Sequence, residues 1–393
     1  MAKRRTQTAD LDFAFFTVLR AFYEENRGRI RTHYRDLTKR FLDYNDPSCA
    51  GAFLRKPQFE ALEMYVFLKE YLDNAPVHEI FRAWADRQGR FAARRAVDKA
   101  GQLAIVDMLT RDQYNQVYAH LRAGSRPYAN YIFALTMGTG KTILMATCIF
   151  YEFLLANKFP TNPSYCHNAL IFAPDTTVLE ALREVQTFDM AKVVPPEYVN
   201  WLTSNIQFHF LDEAGMALST LDRSRFNLVV SNTQKIILKR QHKDKSAADL
   251  LFHGGAPAYD PGSIYAETEA LWELESEEEL TTNQRFEKLR RLGQLGIYVD
   301  EAHHAFGKNL ARDVGAEVDT RQTSLRLTID ELARSLERTG THVVACYNYT
   351  GTPYAENHIL PEVVYAYGLR EAIDAGYLKL VRINGYQNAR TGE

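Results

Sequence analysis

The sequence predicts an α/β fold: a parallel sheet flanked by helices, preceded by a helical N-terminal region. Up to about residue 128 the apolar residues recur at helical spacing. Beyond that point, apolar runs of strand length alternate with helical patterns. These runs are rich in Val, Ile, Phe and Tyr and show little polar alternation, as is typical of strands buried on both faces. They are YIFALT (131–136), ALIFAP (169–174), FNLVVS (226–231), GIYVDE (296–301) and HVVACYNYT (342–350).

Composition narrows the possible classes of protein. The chain has 393 residues, of which 46% are hydrophobic and 24% charged, so it is predicted to be globular rather than disordered. The formal net charge of −2 means that any nucleic-acid binding must come from local basic patches. We recognise no signal peptide and no apolar run long enough to span a membrane. The cysteines form no CxxC pair, which disfavours a zinc ribbon or a disulfide framework and favours a reducing cytoplasm: Cys49, Cys148, Cys166 and Cys346.

The N-terminal third is predicted to be mainly helical. Residues 13–23 are apolar and aromatic, and PQFEALEMYVFLKEYL (57–72) has apolar residues at helical spacing. Residues 27–40 carry six basic side chains against a single acid, Asp36. This basic segment is either a solvated helix face or a patch that contacts phosphates.

The predicted elements suggest two units. Residues 1–128 would form the helical N-terminal region, and residues 129–383 the α/β unit. Within the second unit, residues of about 239–295 interrupt the alternation of strands and helices, since they run basic, turn-rich, acidic and basic again. We expect this segment to be a surface insertion of loops and short helices.

A glycine-rich loop, MGTGKT (137–142), follows a predicted strand and opens a predicted helix. This is the context that a phosphate-binding loop requires. Because Gly138 and Gly140 have no Cβ, the backbone N–H groups around Thr139 can close on an anion. The positive N-terminal end of the following helix would add to the attraction.

Two side chains of this loop would complete a nucleotide site. Lys141 would place a positive charge at the β- and γ-phosphates, and the Thr142 hydroxyl would reach Mg²⁺. Leu135 departs from the general pattern, which has its first glycine there. A chance glycine turn is the alternative, and the strand–loop–helix context disfavours it.

A pair of acids, Asp300 and Glu301, stands at the end of the apolar run GIYV. In open α/β sheets ligands bind at the carboxyl ends of strands. Asp300 can hold Mg²⁺, and Glu301 can orient the water that attacks the γ-phosphate. His303 is a candidate coupler between the nucleotide and neighbouring loops. Taken alone, Asp-Glu-Ala-His could equally begin a helix with an acidic first turn.

Taken in order, these motifs resemble superfamily 2 helicases of the DEAD/DEAH type. The resemblance is to the N-terminal part of the motor (Res) subunit of type III restriction enzymes, and it spans about residues 54–383. Besides the phosphate loop and the acid pair, it rests on LRKPQFEAL (54–62), LIFAP (170–174), SNTQK (231–235), YTGTP (349–353) and EVVYAYGLREAIDAGYLKLVRI (362–383).

The resemblance implies a RecA-like domain that binds ATP and Mg²⁺ and acts on double-stranded DNA. Thr350 and Thr352 would link hydrolysis to DNA movement. Without the resemblance, the segments LIFAP, SNTQK and YTGTP could simply be helix starts and turns. The residues that would face DNA are Pro174, Ser231, Asn232 and Thr233.

The resemblance also assigns a glutamine to adenine recognition, since an amide offers one donor and one acceptor to the base. Gln58 is favoured because its flanking residues fit the pattern better. Gln113 and Gln116 are the alternatives, because they lie nearer to the phosphate loop in the sequence.

Motors of this kind need a second RecA-like domain, whose arginine fingers complete the site. We find no second set of motifs before Glu393. Either the chain is a fragment or this domain lies on another chain, and in both cases we expect the domain to be a partner of the site. The resemblance also implies a methyltransferase or specificity subunit as a partner. The expected function is the ATP-binding motor domain of a DNA translocase or helicase of restriction-enzyme type. A non-catalytic nucleotide-binding module and a P-loop kinase are the alternatives, and the acid pair and YTGTP disfavour the kinase.

Overall fold

A computed structural model of the chain confirms the expected fold class. An all-parallel, seven-stranded sheet is flanked by helices and follows a helical N-terminal region. No helix in the described part of the chain is long and apolar enough to cross a membrane. The structure describes residues 11–92, 109–173, 183, 185–210, 226–232, 289–302, 325–352, 354–355 and 358–377.

The strands of the sheet agree with the five predicted runs and add one at each edge. The seven strands are β1 (Ala129–Leu135), β2 (Asn168–Ala173), β3 (Ile206–Phe210), β4 (Phe226–Asn232), β5 (Leu295–Val299), β6 (Val343–Thr350) and β9 (Val363–Tyr367). Between β6 and β9, the strands β7 (Tyr354–Ala355) and β8 (His358–Ile359) form a separate small hairpin. The order of the seven strands is β3-β4-β2-β5-β6-β1-β9, and each neighbouring pair is parallel. The edge strands β3 and β9 were not predicted. In β3 only the first residue is buried, so it lacks the apolar run of a central strand.

The helices fall into an N-terminal group, which precedes the sheet, and a group that lies between or after the strands. The first group comprises α1 (Ala14–His33), α2 (Asp36–Asn45), α3 (Lys56–Val66), which continues into a π-helical turn (Phe67–Tyr71), α4 (Val77–Ala85) and α5 (Arg111–Ala123). The second group comprises α6 (Lys141–Lys158), α7 (Pro196–Asn205), α8 (Leu325–Arg338) and α9 (Leu369–Asp374).

An apolar core lies on each face of the sheet. On one face the N-terminal helices and α6 pack against aromatic side chains of the strands. There the ring of Tyr65 in α3 lies 4.5 Å from that of Tyr347 in β6, centroid to centroid, and both are fully buried. On the other face, α8 packs through Leu332 and Leu336 in a cluster that includes Ile297 of β5. The N-terminal region therefore shares one continuous core with the sheet.

The basic segment 27–40 forms ion pairs rather than an open patch. The chain is extended at Tyr34 and Arg35, so the segment is divided between α1 and α2. Arg35 bonds the hydroxyl of Tyr165 at 2.8 Å and lies over the ring of Phe159. This arrangement favours a solvated, ion-paired surface over a phosphate-contacting patch. The paired side chains are Arg27 with Glu63, Arg31 with Asp43, Lys39 with Asp36, and Arg40 with Glu197.

The parallel strands bring the predicted motifs together. Because their carboxyl ends meet at one edge of the sheet, β1 delivers the phosphate loop, β5 the acid pair and β6 the residues from Thr350 to Thr352 to the same edge. Residues 233–288, which contain most of the predicted insertion, lie outside the described residues.

Two glycine-to-alanine substitutions should change stability in opposite directions. A Cβ at Gly296 in β5 would lie 2.7 Å from the Sγ of Cys166, which is fully buried. We expect Gly296→Ala to lower the free energy of unfolding by about 1–3 kcal/mol through overpacking. Gly28 in α1 has open space around it, so Gly28→Ala should raise that free energy by about 1 kcal/mol through helix propensity. Urea unfolding midpoints provide the measurement, and shifts of the same sign would contradict the packing described for β5.

Candidate functional site

The phosphate loop takes a conformation that only glycine adopts readily. Gly138 and Gly140 have φ angles of +75° and +80°, in the left-handed region. Thr139 is buried, and its hydroxyl donates to the carbonyl of Thr136 at 2.6 Å, which closes the loop. Gly140 is the N-cap of α6 and brings no side chain to cap it. The N–H groups of the first turn of α6 are thus free of a side-chain cap and can bind an anion.

Gln58 connects the N-terminal region to this loop. Its side-chain Nε2 donates to the carbonyl of Gly140 at 3.1 Å, while its Oε1 accepts from the backbone N–H of Arg55 at 2.9 Å. The contact is so close that a Cβ at position 140 would lie 2.6 Å from that Nε2. An amide also has a second hydrogen on Nε2 and a second lone pair on Oε1, and Gln58 is 4% exposed.

The competing glutamines lie in a different part of the fold. Gln113 belongs to the capping box of α5, where its Oε1 accepts from the N–H of Thr110 at 2.9 Å. Gln116 is exposed on the same helix. Of these three glutamines, the structure gives only Gln58 a hydrogen bond to the phosphate loop.

The acid pair follows β5 and faces the lysine of the loop. Asp300 is buried, its N–H donates to the carbonyl of Phe172, and its Oδ1 accepts from the N–H of Glu301 at 3.0 Å. Glu301 has a φ angle of +45°, a strained conformation of the kind that concentrates at functional sites. Its Oε1 lies 3.0 Å from the Nζ of Lys141, so the two motifs are joined by an ion pair.

The environment of Asp300 suits a bound cation. Burial, followed by the charge of Glu301, raises the pKa of Asp300 to about 6, although the N–H of Glu301 and the charge of Lys141 oppose the shift. A divalent cation would relieve the same cost, and a carboxylate with a hydroxyl such as that of Thr142 offers the hard oxygen donors that Mg²⁺ prefers. Among the described residues, no group of three or more His, Cys, Asp or Glu could hold a metal ion.

Residues 349–352 lie beside the loop and the acid pair. A Cβ at Gly351 would lie 3.6 Å from the Cγ of Met137, 3.8 Å from the Oε2 of Glu301 and 3.9 Å from the Nζ of Lys141. The hydroxyl of Thr350 donates to the carbonyl of Thr352 at 3.0 Å and accepts from its N–H at 3.3 Å, which forms a compact turn. Gly351 therefore lies close to the side chains of both motifs.

The sequence did not predict two residues that lie at this site, Gly351 and Met137. Gly351 belongs to the quoted motif, and its glycine signals a close backbone approach. Met137 is 74% exposed beside it, and the residue pattern gave no indication of its place.

The structure covers the expected DNA-facing and coupling residues only in part. Ser231 is fully buried at the end of β4, and Asn232 is the last residue of that strand. Outside the described residues lie Pro174, Thr233 and His303.

Fold and site together define the class. A parallel sheet with a phosphate loop after β1 and an Asp-Glu pair after β5 is a helicase-like motor domain of superfamily 2. Residues 108–328, more than half of the chain, match the family described as type III restriction enzyme, res subunit, and the chain belongs to that family. The matched region contains the phosphate loop, the acid pair and Gln113, whereas Gln58 and Gly351 lie outside it. No curated protein matches the chain.

Asp300→Asn should stabilise the cation-free protein at high pH. Since the pKa of Asp300 is raised to about 6 from 3.8, the folded state binds more protons than the unfolded state between pH 4 and 6, and stability falls as the pH rises through this window. The asparagine is neutral throughout. The variant should therefore be more stable at pH 8 by up to about 3 kcal/mol, as two pKa units imply, and close to wild type at pH 4.

Urea unfolding at these two pH values, without divalent cations, measures the difference. Asp330→Asn is the control, because Asp330 is a buried acid that accepts hydrogen bonds from Arg126 and Tyr128. That variant should lose stability at pH 8. Equal stability of Asp300→Asn and wild type at pH 8 would contradict the account of Asp300.

Proposed function

We propose that the chain binds ATP with Mg²⁺ and hydrolyses the ATP to drive movement on double-stranded DNA, as the motor domain of a restriction-type translocase or helicase. The observation that carries the proposal is the contact between Lys141 and Glu301, 3.0 Å apart at the carboxyl edge of the sheet. On this proposal the ammonium of Lys141 would bind the phosphates, and the carboxylate of Glu301 would orient the attacking water.

Phosphate binding would use charge and backbone together. Lys141 is 8% exposed and lies directly after the left-handed Gly140. A triphosphate at the first turn of α6 would meet the N–H groups of that turn and replace Glu301 as the partner of Lys141. This change of partner would cost Lys141 little free energy, because one charge-assisted contact replaces another.

Hydrolysis would depend on the two acids in different roles. Asp300 and Thr142 would hold Mg²⁺, which when bound neutralises charge on the phosphates. Glu301, once released from Lys141, would orient the attacking water and accept its proton. The difference in exposure matches this division of labour, since Asp300 is buried whereas the side chain of Glu301 is 24% exposed.

Coupling to DNA would start at Gly351, which is packed against Lys141 and Glu301. We assign Thr350, Thr352 and His303 to this coupling. The base would be read by Gln58, whose amide already lies at the loop. The DNA track would include Pro174, Asn232 and Thr233, whereas Ser231, which is fully buried at the end of β4, would position these neighbours rather than touch DNA.

On this proposal, residues 1–128 form a helical N-terminal region and residues 129–383 a RecA-like domain. A second RecA-like domain would supply the arginine fingers, and a methyltransferase or specificity subunit would select the DNA. A nucleotide-binding module without catalysis is the competing function, and turnover separates it from a motor.

Lys141→Ala should weaken the binding of ATP with Mg²⁺ by about ten- to a hundredfold, the value of a charge-assisted hydrogen bond. Isothermal titration calorimetry gives the affinity. Lys158→Ala is the matched control, because Lys158 is exposed at the other end of the same helix. Equal affinities of wild type and Lys141→Ala would remove the phosphate loop from nucleotide binding.

Glu301→Gln should retain ATP binding and lose turnover by about a hundredfold or more, because an amide cannot take a proton from the attacking water. The steady-state ATPase rate is to be measured with DNA and with the second motor domain present. Glu337→Gln, at an exposed position of α8, is the control. An ATPase rate unaffected by Glu301→Gln would exclude this role, and a wild type that binds ATP without any turnover would favour the non-catalytic module.

A further inference from the structure

A fully buried ion pair lies between the N-terminal region and α6, outside the nucleotide site. The Nζ of Lys69 is 2.7 Å from the Oε1 of Glu152, and both side chains are 0% exposed. Lys69 also donates to the carbonyl of Ser164 at 2.9 Å. Glu152 accepts from the hydroxyl of Tyr65 at 2.6 Å and from the N–H of Cys166 at 3.1 Å. Both charges therefore have close, well-directed partners.

Stability alone does not explain such a pair. Taking two charges out of water costs at least as much as their attraction returns, so packed apolar residues are often as stable. In some proteins a buried pair instead specifies one arrangement, because any other arrangement leaves a charge without a partner. Lys69 also lies in the π-helical turn that follows α3, and such turns are frequent at functional sites.

The pair sets how α3 lies along α6. The two helices run parallel: Gln58, near the start of α3, contacts Gly140 at the start of α6, and Lys69, beyond its end, contacts Glu152. The two contacts are eleven positions apart on the segment of α3 and twelve positions apart on that of α6, which corresponds to about 17–18 Å at helical rise. The hydroxyl of Tyr65 adds a bond near the remote end. Sliding α3 along α6 would break both contacts at once.

We propose that Lys69 and Glu152 are a positioning pair for the nucleotide site. By fixing the register of α3 on α6, they hold the amide of Gln58 against the carbonyl of Gly140, which also accepts the first helical hydrogen bond, from the N–H of Leu144 at 3.1 Å. The pair acts through Gln58 and touches no nucleotide. That the loop binds a nucleotide rests on the proposed function. The positioning of Gln58 does not, because it is a property of the nucleotide-free chain.

The test is hydrogen exchange of the nucleotide-free chain, read on a peptide covering residues 137–145. Single substitutions leave a buried charge unpaired and can prevent folding, so the variant is Lys69→Met/Glu152→Gln. Its exchange at this peptide should be about three- to tenfold faster, the effect of losing one hydrogen bond. Gln58→Ala should give the same increase, and the triple variant no more than either. Tyr65→Phe, which changes no charge, should give a smaller increase at the same peptide.

A second buried pair provides the matched control. Arg326 and Glu362 lie 2.8 Å apart and are 7% and 2% exposed, and Arg326→Met/Glu362→Gln should leave exchange at residues 137–145 unchanged. Three results would overturn the proposal: unchanged exchange at this peptide in Lys69→Met/Glu152→Gln and Tyr65→Phe, increases that add to that of Gln58→Ala, or an increase spread equally over β5 and β6.

ATP titrations of the same variants separate the two proposals. Lys69→Met/Glu152→Gln should weaken ATP binding by no more than Gln58→Ala does, because the pair acts through Gln58. It should leave the turnover of bound ATP unchanged and have no further effect in the Gln58→Ala background. A wild-type chain that binds no ATP, combined with the expected local exchange, would refute the proposed function and leave the positioning pair in place.

Discussion

The candidate site depends on the backbone of one residue, Gly140. Its left-handed conformation turns the chain from β1 into α6, and its carbonyl accepts both the amide of Gln58 and the N–H of Leu144. The next residue, Lys141, pairs with Glu301 across the sheet edge. A side chain at position 140 would be strained and would collide with Gln58. The phosphate loop, the N-terminal region and the acid pair therefore constrain one another.

This arrangement costs stability at the site and recovers it elsewhere. Asp300 is a buried acid with a raised pKa, and Glu301 has a positive φ angle. Such features persist when the surrounding structure over-determines them. Here the surroundings are a core of closely packed rings: Tyr347 lies 4.5 Å from Tyr65 and 5.2 Å from Tyr298, and all three are fully buried. Tyr298 is two residues from Asp300, so the core directly supports the strand that ends at the acid pair.

Local sequence was sufficient for the fold class and for the two main motifs, because a buried strand and a glycine loop each leave a pattern within ten residues. It was insufficient for contacts between distant segments. Lys69 and Glu152 are far apart in sequence and resemble ordinary surface charges, and the acids that pair with the basic segment lie mostly outside it. The edge strand β3 lacks a fully apolar run because it is half exposed. Gln58 was selected by its resemblance to a motif, and its contact with Gly140 gives that choice a physical basis.

The most direct test of this account is a structure of the chain with a non-hydrolysable ATP analogue and Mg²⁺. The account predicts that the triphosphate lies on residues 137–142, that Lys141 has left Glu301 for the phosphates, and that Gln58 bonds both Gly140 and the adenine edge. A nucleotide bound elsewhere, or one bound with the Lys141–Glu301 pair intact, would contradict the central claim that this edge of the sheet is the nucleotide site.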